Sequence, residues 1–214
     1  MENSDILCIQ EHWLYTYKHH LITEFSPDHR GFAKSVDMND QLLPQERSRG
    51  HGGIAILWNK KIDKYITVQQ DGGHRVQVIE INRKNNKWCI INTYMPCRGT
   101  HTKDDYEEIL DEINEIIVRF GNTHNIIICG DMNASLHREP PNKQDLQLRK
   151  FMKEKNLLVK ENPKGENTFS HHNGINMAKL DYILYSEDVH NVISADQIEE
   201  SCNDVNVSDH APLS

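Results

Sequence analysis

A chain of 214 residues that is 37% hydrophobic and 26% charged is long and apolar enough to bury one core. It has no apolar run near the roughly 18 residues of a membrane span, and its acidic start, Met1-Glu-Asn-Ser-Asp5, lacks the basic region of a signal peptide. A formal charge of −8 argues against holding nucleic acid by bulk electrostatics, although a carboxylate site that gathers a divalent cation would itself contribute such charge.

The first predicted element is a strand over residues 5–9, and residues 12–20 read as a continuation into helix. Further apolar, β-branched runs predict strands over 53–58, 75–81 and 88–95. Over 103–120, Tyr106, Ile109, Leu110, Ile113, Ile116, Ile117 and Phe120 recur with the helical period and make one apolar stripe. Thr102 with Asp105 resembles a capping box, and Gly121-Asn122 supplies a stop. A strand over 125–129 follows, then a helix over 144–156 with Leu148, Phe151 and Met152 inward, then strands over 180–185 and 192–197. With no repeat, linker or low-complexity tract, the whole chain, 1–214, reads as a single α/β or α+β layered domain. Cys8, Cys89, Cys97, Cys129 and Cys202 form no CxxC pair and are odd in number. They read as reduced thiols rather than disulfides or a zinc site.

Polar residues stand at the ends of predicted strands in four segments: Gln10-Glu11-His12, Asn92-Thr-Tyr94-Met-Pro96, Gly130-Asp131-Met-Asn133 and Ser208-Asp209-His210. A fifth, Lys179-Leu-Asp181-Tyr, sets an acid inside an apolar strand. Such strand ends can assemble a pocket from distant parts of the chain. Each segment alone has a plainer reading. Glu11 suits a solvated loop acid, Asp131 an Asx-turn after Gly130, His210 a satisfied surface or core histidine, and Tyr94 a core aromatic. Asp181 is the hardest to dismiss, because burying an acid without a partner is costly.

In order, Gln-Glu, Tyr-x-Pro, Gly-Asp-x-Asn, Leu-Asp-Tyr and Ser-Asp-His resemble the endonuclease/exonuclease/phosphatase superfamily, from Asp5 to Ser214. The texture of residues 5–14 and 171–176 is most similar to endonuclease domains of non-LTR retrotransposons, whose polyproteins carry a reverse transcriptase. The resemblance implies a four-layered α/β sandwich, two packed β-sheets flanked by helices, with the active site where strand ends converge. It implies a hard divalent cation on Glu11, Mg²⁺ with Mn²⁺ as the alternative. Asp131 would activate the water, Asn133 would position it and the phosphate, and His210 would contact the scissile phosphate. Asp209 would support that histidine or the metal, Asp181 would hold the histidine, and Tyr94 would meet a phosphate oxygen or the leaving group. The chemistry asks for the same parts: an aligned water, a base, and positive charge beside the phosphate oxygens.

Three departures bear on the expected function. Family domains begin with an earlier strand bearing an asparagine and end on a closing strand. Here the strand at 5–9 follows directly on Met1 and the chain stops at Pro212-Leu-Ser214, so the first and last strands are expected to be truncated and the domain incomplete at both termini. Cys97 stands where many relatives carry asparagine, which weakens one expected phosphate contact. The expected function is a Mg²⁺-dependent DNA endonuclease that nicks target DNA to prime reverse transcription. It would work inside the cell, in the nucleus if its target is chromosomal, and away from membranes. DNA would be gripped by local patches, Arg47, Arg49 and His51 or Lys60, Lys61 and Lys64. The alternatives are another phosphoester substrate, as in an abasic-site repair nuclease, a deadenylase or an inositol-phosphate phosphatase, or an inactive retroelement remnant. Oligomeric state is not legible in the sequence.

Overall fold

The structure, a computed structural model, describes residues 4–24, 26–38, 51–84, 86–99, 106–160, 167–171, 177–193 and 208–214. Its smaller main sheet has three antiparallel strands, β1 (Ile6–Gln10), β2 (His29–Lys34) and β3 (Ile54–Asn59), in the order β1-β3-β2. The larger has six: β4 (Ile66–Gln69), β5 (Val76–Arg83), β6 (Asn86–Tyr94), β7 (Asn125–Asp131), β8 (Leu157–Val159) and β11 (Asp181–Ser186). Their order is β4-β5-β6-β7-β11-β8. Among the described pairings only β6 and β7 run parallel, and helix α2 (Tyr106–Phe120) lies in the crossover that a parallel pair requires. Short strands β9 (Phe169–Ser170) and β10 (Met177–Ala178) form a ribbon of their own.

Strand alternation sets the layers. On β3, Ile56 and Trp58 face the large sheet and pack with Ile79, Ile81 and Ile90. Ala55 and Leu57 face the other way, onto Ile22 of helix α1 (His20–Glu24). The far side of the large sheet presents Val78, Cys89, Ile91, Ile126, Ile128, Tyr182 and Leu184. Helices α2 and α3 (Lys143–Glu154) cover it through Ile109, Ile113, Ile116, Leu148 and Phe151. The result is the expected four layers: helix, sheet, sheet, helices. The stripe of α2 is fully used: truncating Ile113, 2% exposed, would cost about 2–5 kcal/mol. Among the described residues no helix is long and apolar enough to cross a membrane.

Several expectations are corrected. Residues 12–20 do not form one helix: left-handed backbone at Glu11 and Trp13 interrupts it, leaving a 3-10 turn at Thr16–Lys18 and the short α1. Val192 lies in a turn, its N–H donating to Val189 O at 2.9 Å, because the 3-10 turn Glu187–Val189 has already ended the strand. Residues 194–197 lie outside the described residues, as do Thr102, Asp105, Arg47, Arg49, Cys202 and 172–176. Lys60, Lys61 and Lys64 belong to the 3-10 helix Lys60–Tyr65 beyond β3. That is the opposite end of the strand from Ile54, which pairs with Gln10 beside Glu11, so this patch is remote from the converging strand ends. The four described cysteines are free thiols, as expected.

Helix α3 begins with a capping box between Asn142 and Asp145. Asp145 is wholly buried and also accepts from Ser135 N at 2.7 Å and Arg138 Nη1 at 3.0 Å. One carboxylate therefore ties the helix start to the loop that leaves β7. Tyr106 of α2 holds the same loop by donating its hydroxyl to Met132 O at 2.9 Å.

Candidate active site

The ends of β6 and β7 and the start of β11 lie side by side at one rim. Tyr94 is the register partner of Asp131, and Asp131 of Asp181, so the three project from the same face in a row. Asn92, fully buried one step back on β6, rivets the small sheet to this row. Its Oδ1 accepts from Gln10 Nε2 at 2.6 Å, and its Nδ2 donates to Ala55 O at 3.0 Å and Ile9 O at 3.2 Å. Gln10 thus ends β1 in a fixed place, with Glu11 next.

Glycine precedes Asp131 for a steric reason. Gly130 has φ 137°, and a Cβ there would stand 2.0 Å from Thr93 O on the neighbouring parallel strand. Asp131 is 4% exposed. Its Oδ1 accepts from Asn133 N at 2.8 Å and its Oδ2 from Asn133 Nδ2 at 3.0 Å, while that amide also donates to Met95 O at 2.8 Å. The Asx-turn reading of Asp131 is therefore true of its geometry, and the turn leaves the carboxyl at the rim. Burial pushes this carboxyl up, Asp181 and Glu11 push it further, and His210 and the Asn133 N–H pull it back. The net result is about 7.

His210 reaches the row from the far end of the chain. Its Nδ1 lies 2.9 Å from Asp181 Oδ2, which makes Nδ1 a donor to the carboxylate. Burial lowers the pKa of the ring, but the bond to Asp181 and the charges of Asp181, Asp131 and Asp209 outweigh it and raise it to about 9. Asp209 acts on this ring through its charge. Its backbone carbonyl accepts from Ser170 N at 2.9 Å, Ala211 N donates to Thr168 O at 2.7 Å, and the Phe169 ring lies 5.1 Å from the His210 ring.

Thr168 is the support that sequence reasoning missed. It is 1% exposed, and its hydroxyl oxygen accepts from Leu180 N at 3.0 Å and Asp181 N at 3.1 Å. One residue fixes the backbone of Asp181 and, through β9, that of His210. A threonine before Phe-Ser carries no signal of this.

Glu11 sits on the opposite side of Tyr94. It is exposed, its backbone is left-handed at φ 54°, and its Oε1 accepts from the Tyr94 hydroxyl at 2.7 Å. A left-handed backbone costs a non-glycine residue about 1–2 kcal/mol. Burial holds the Tyr94 phenol far above its usual range, so it stays a neutral donor. Arg75, itself buried, lies 5.2 Å from the Tyr94 ring centroid and donates Nη1 to Tyr94 O at 3.2 Å. Cys97 Sγ lies 3.8 Å from the Tyr94 hydroxyl and donates to Asn133 Oδ1 at 3.4 Å. Burial pushes that thiol up, so it stays protonated. Glu11, Tyr94, Cys97, Asn133 and Asp131 thus form one hydrogen-bonded chain across the rim, and Asp181 with His210 closes it. All seven expected site residues fall in this region.

Among the described residues no three His, Cys, Asp or Glu side chains are gathered into a metal cage. The carboxylates at this rim nevertheless act together on Asp131, Asp181 and Glu11 adding to the burial that raises it.

The fold is similar to three solved structures, each 16% identical. The endonuclease domain of TRAS1, a telomere-specific non-LTR retrotransposon, matches with a TM-score of 0.71, covering 99% of this chain and 85% of that one. The 3′-5′ exonuclease NExo from Neisseria meningitidis matches at 0.69, covering 98% and 88%. An AP endonuclease from Archaeoglobus fulgidus matches at 0.66, covering 99% and 88%. No curated protein sequence matches this chain significantly. Residues 1–210 match the Endonuclease/Exonuclease/phosphatase family, and with its fold and its row of acids the chain belongs to that family of phosphate-ester hydrolases.

Proposed function

We propose that this chain is a Mg²⁺-dependent phosphodiesterase that nicks DNA, of the kind non-LTR retrotransposons use to open a target for reverse transcription. The observation that carries the reading is the juxtaposition of a buried carboxyl near pH 7, Asp131, with an imidazolium held by Asp181. Asp131 takes a proton from the attacking water; a base is most effective when its pKa lies near the working pH. Asn133 donates to both of its oxygens, which fixes the plane of the carboxylate that receives the proton. His210 carries positive charge to the phosphate, and Tyr94 donates a hydrogen bond from a phenol that burial keeps neutral. As the P–O bond breaks, the departing 3′ oxygen needs a proton. His210 and Tyr94 both hold one at neutral pH.

The donor set suits a hard cation. Glu11 and Asp209 offer carboxylate oxygen, and one or two carboxylates with retained waters is the usual Mg²⁺ site, which needs no three-residue cage. When bound, the ion supplies charge to the phosphate oxygens. The similarity to the TRAS1 domain, which is named as a retrotransposon endonuclease, supports target nicking upstream of a reverse transcriptase. A second reading, cleavage beside abasic sites, is supported by the similarity to an AP endonuclease.

The test is conversion of supercoiled plasmid to nicked circles in Mg²⁺, with an abasic-site duplex as a parallel substrate. Wild type is expected to nick and leave an extendable 3′-hydroxyl, while EDTA and Asp131→Ala abolish the activity. Undiminished nicking by Asp131→Ala would sink the assignment, and preference for the abasic duplex would select the second reading.

A further inference from the structure

In Glu11-His12-Trp13, two left-handed non-glycine residues flank one other residue, with φ 54° at Glu11 and 55° at Trp13. The structure holds this turn from behind. His12 Nε2 donates to Lys34 O at 3.1 Å, its Nδ1 accepts from Leu14 N at 3.0 Å, and Trp13 N donates to Gly52 O at 3.0 Å. With both ring nitrogens engaged by the backbone, His12 is a neutral imidazole that serves the turn. Gly53 makes room for it, since a Cβ there would stand 2.4 Å from His12 Cε1.

The turn fixes Glu11 at the rim and leaves Trp13 44% exposed beside it. Two residues of chain span at most about 7 Å. Trp13 is therefore within roughly two nucleotide steps of Glu11, at about 3.4 Å per nucleotide along a strand. A second exposed aromatic follows in the chain at Tyr17, 57% exposed, whose ring stacks on Tyr15 and has the Lys18 ammonium 5.5 Å from its centroid. A chain with a charge of −8 gains little from bulk attraction to a polyanion. Base–aromatic stacking needs no net charge and tolerates any sequence, because every base has a π-face.

We propose that Trp13 is a substrate-binding residue whose indole stacks on a nucleobase flanking the scissile phosphate, so that the strand is gripped beside Glu11. This rests on the DNA-cleaving reading above. It also separates nucleic acid from small phosphoesters, which offer no base to stack on.

A fluorescence titration with a mixed-sequence single-stranded oligonucleotide in EDTA reads binding without turnover, and nicking in Mg²⁺ reads KM and kcat. Wild type is expected to lose indole emission on binding, and Trp13→Phe to lose most of that quench while keeping Kd within about twofold. Trp13→Ala and Trp13→Leu should raise Kd and KM about tenfold with kcat within about threefold. Leucine keeps apolar bulk without a π-face, so wild-type binding by Trp13→Leu overturns the stacking. A collapse of kcat in Trp13→Phe at unchanged Kd also overturns it, by assigning the indole to the turn. Quenching and binding without nicking by wild type would leave the stacking standing and remove the DNA-cleaving reading. Nicking by Trp13→Ala at wild-type Kd and KM would do the reverse.

Discussion

Asp131 and Asp181 are register partners across the antiparallel β7–β11 pair, so two carboxylates stand side by side where cross-strand neighbours normally avoid like charge. His210 answers one of them at 2.9 Å, and Asn133 answers the other through its backbone and its amide. The arrangement splits the roles of two chemically similar acids. Asp181 holds the His210 ring through Nδ1, while Asp131, buried and beside Asp181, is driven up to about 7.

A pH dependence of stability follows. In the metal-free protein both shifted groups bind protons more tightly folded than unfolded. The contribution of Asp131 is complete below its ordinary value of 3.8 and is lost as pH rises through about 7. That of His210 is complete below 6.5 and is lost as pH rises through about 9. Urea unfolding in EDTA should therefore show stability falling from pH 5 to pH 9 by several kcal/mol, on the order of 1.4 per unit of displaced pKa. Asp131→Asn should flatten the lower half of that fall, and Mg²⁺ should restore more stability at pH 8 than at pH 5. A curve that rises over this range would contradict the electrostatics.

Thr168→Val should uncouple the site from its support. Valine keeps the shape and removes the oxygen that accepts from Leu180 N and Asp181 N. Two donors left unsatisfied should cost about 2–4 kcal/mol. Nicking should fall as His210 and Asp181 lose alignment, and Thr168→Ser should recover both properties. Chemical unfolding and plasmid nicking, run together on the three proteins, give the answer.

How much of this was readable in advance depended on whether a residue's task was local. Helix α2 announced itself because its period and its burial coincide, Ile109, Ile113 and Ile116 all lying inside. Strand β2 did not, because it buries His29 and Lys34, and their partners come from elsewhere. His29 reaches Ser4 O, and Lys34 reaches the carbonyls of Asp71, Gly72 and Val76. No pattern within His-Arg-Gly-Phe-Ala-Lys encodes those distant carbonyls. The same division runs through the site. Asp131, Asp181 and His210 could be picked out as acids and an imidazole at strand ends. Thr168 and Arg75 act through contacts with other segments of the chain, and nothing beside them in the sequence marks that; Asn92 could be seen near a strand end, but not its bonds to Gln10, Ile9 and Ala55.

Gly130→Ala tests the backbone behind the Gly-Asp pair. The new Cβ would meet Thr93 O at 2.0 Å in a conformation that φ 137° already makes unfavourable for an L-residue. Backbone, unlike a side-chain tip, cannot move aside, so a loss of at least about 4 kcal/mol or outright insolubility is expected. A soluble variant with near-native thermal unfolding would show that the parallel β6–β7 approach is looser than drawn.

Cys97→Asn should strengthen substrate binding. The thiol of Cys97 bridges Tyr94 and Asn133 with long contacts of 3.8 and 3.4 Å, and a thiol is a weak donor. An amide in its place can keep the bridge to Asn133 and turn an N–H toward the phosphate. A hydrogen bond to a charged group is worth about 1.5–3 kcal/mol, so KM should drop by about tenfold or more with kcat little changed. Cys97→Ala, which removes the bridge and adds no donor, should move KM the other way. If both variants weaken binding alike, the thiol is the better fit to this rim, and its place between Tyr94 and Asn133 matters more than any contact with the phosphate.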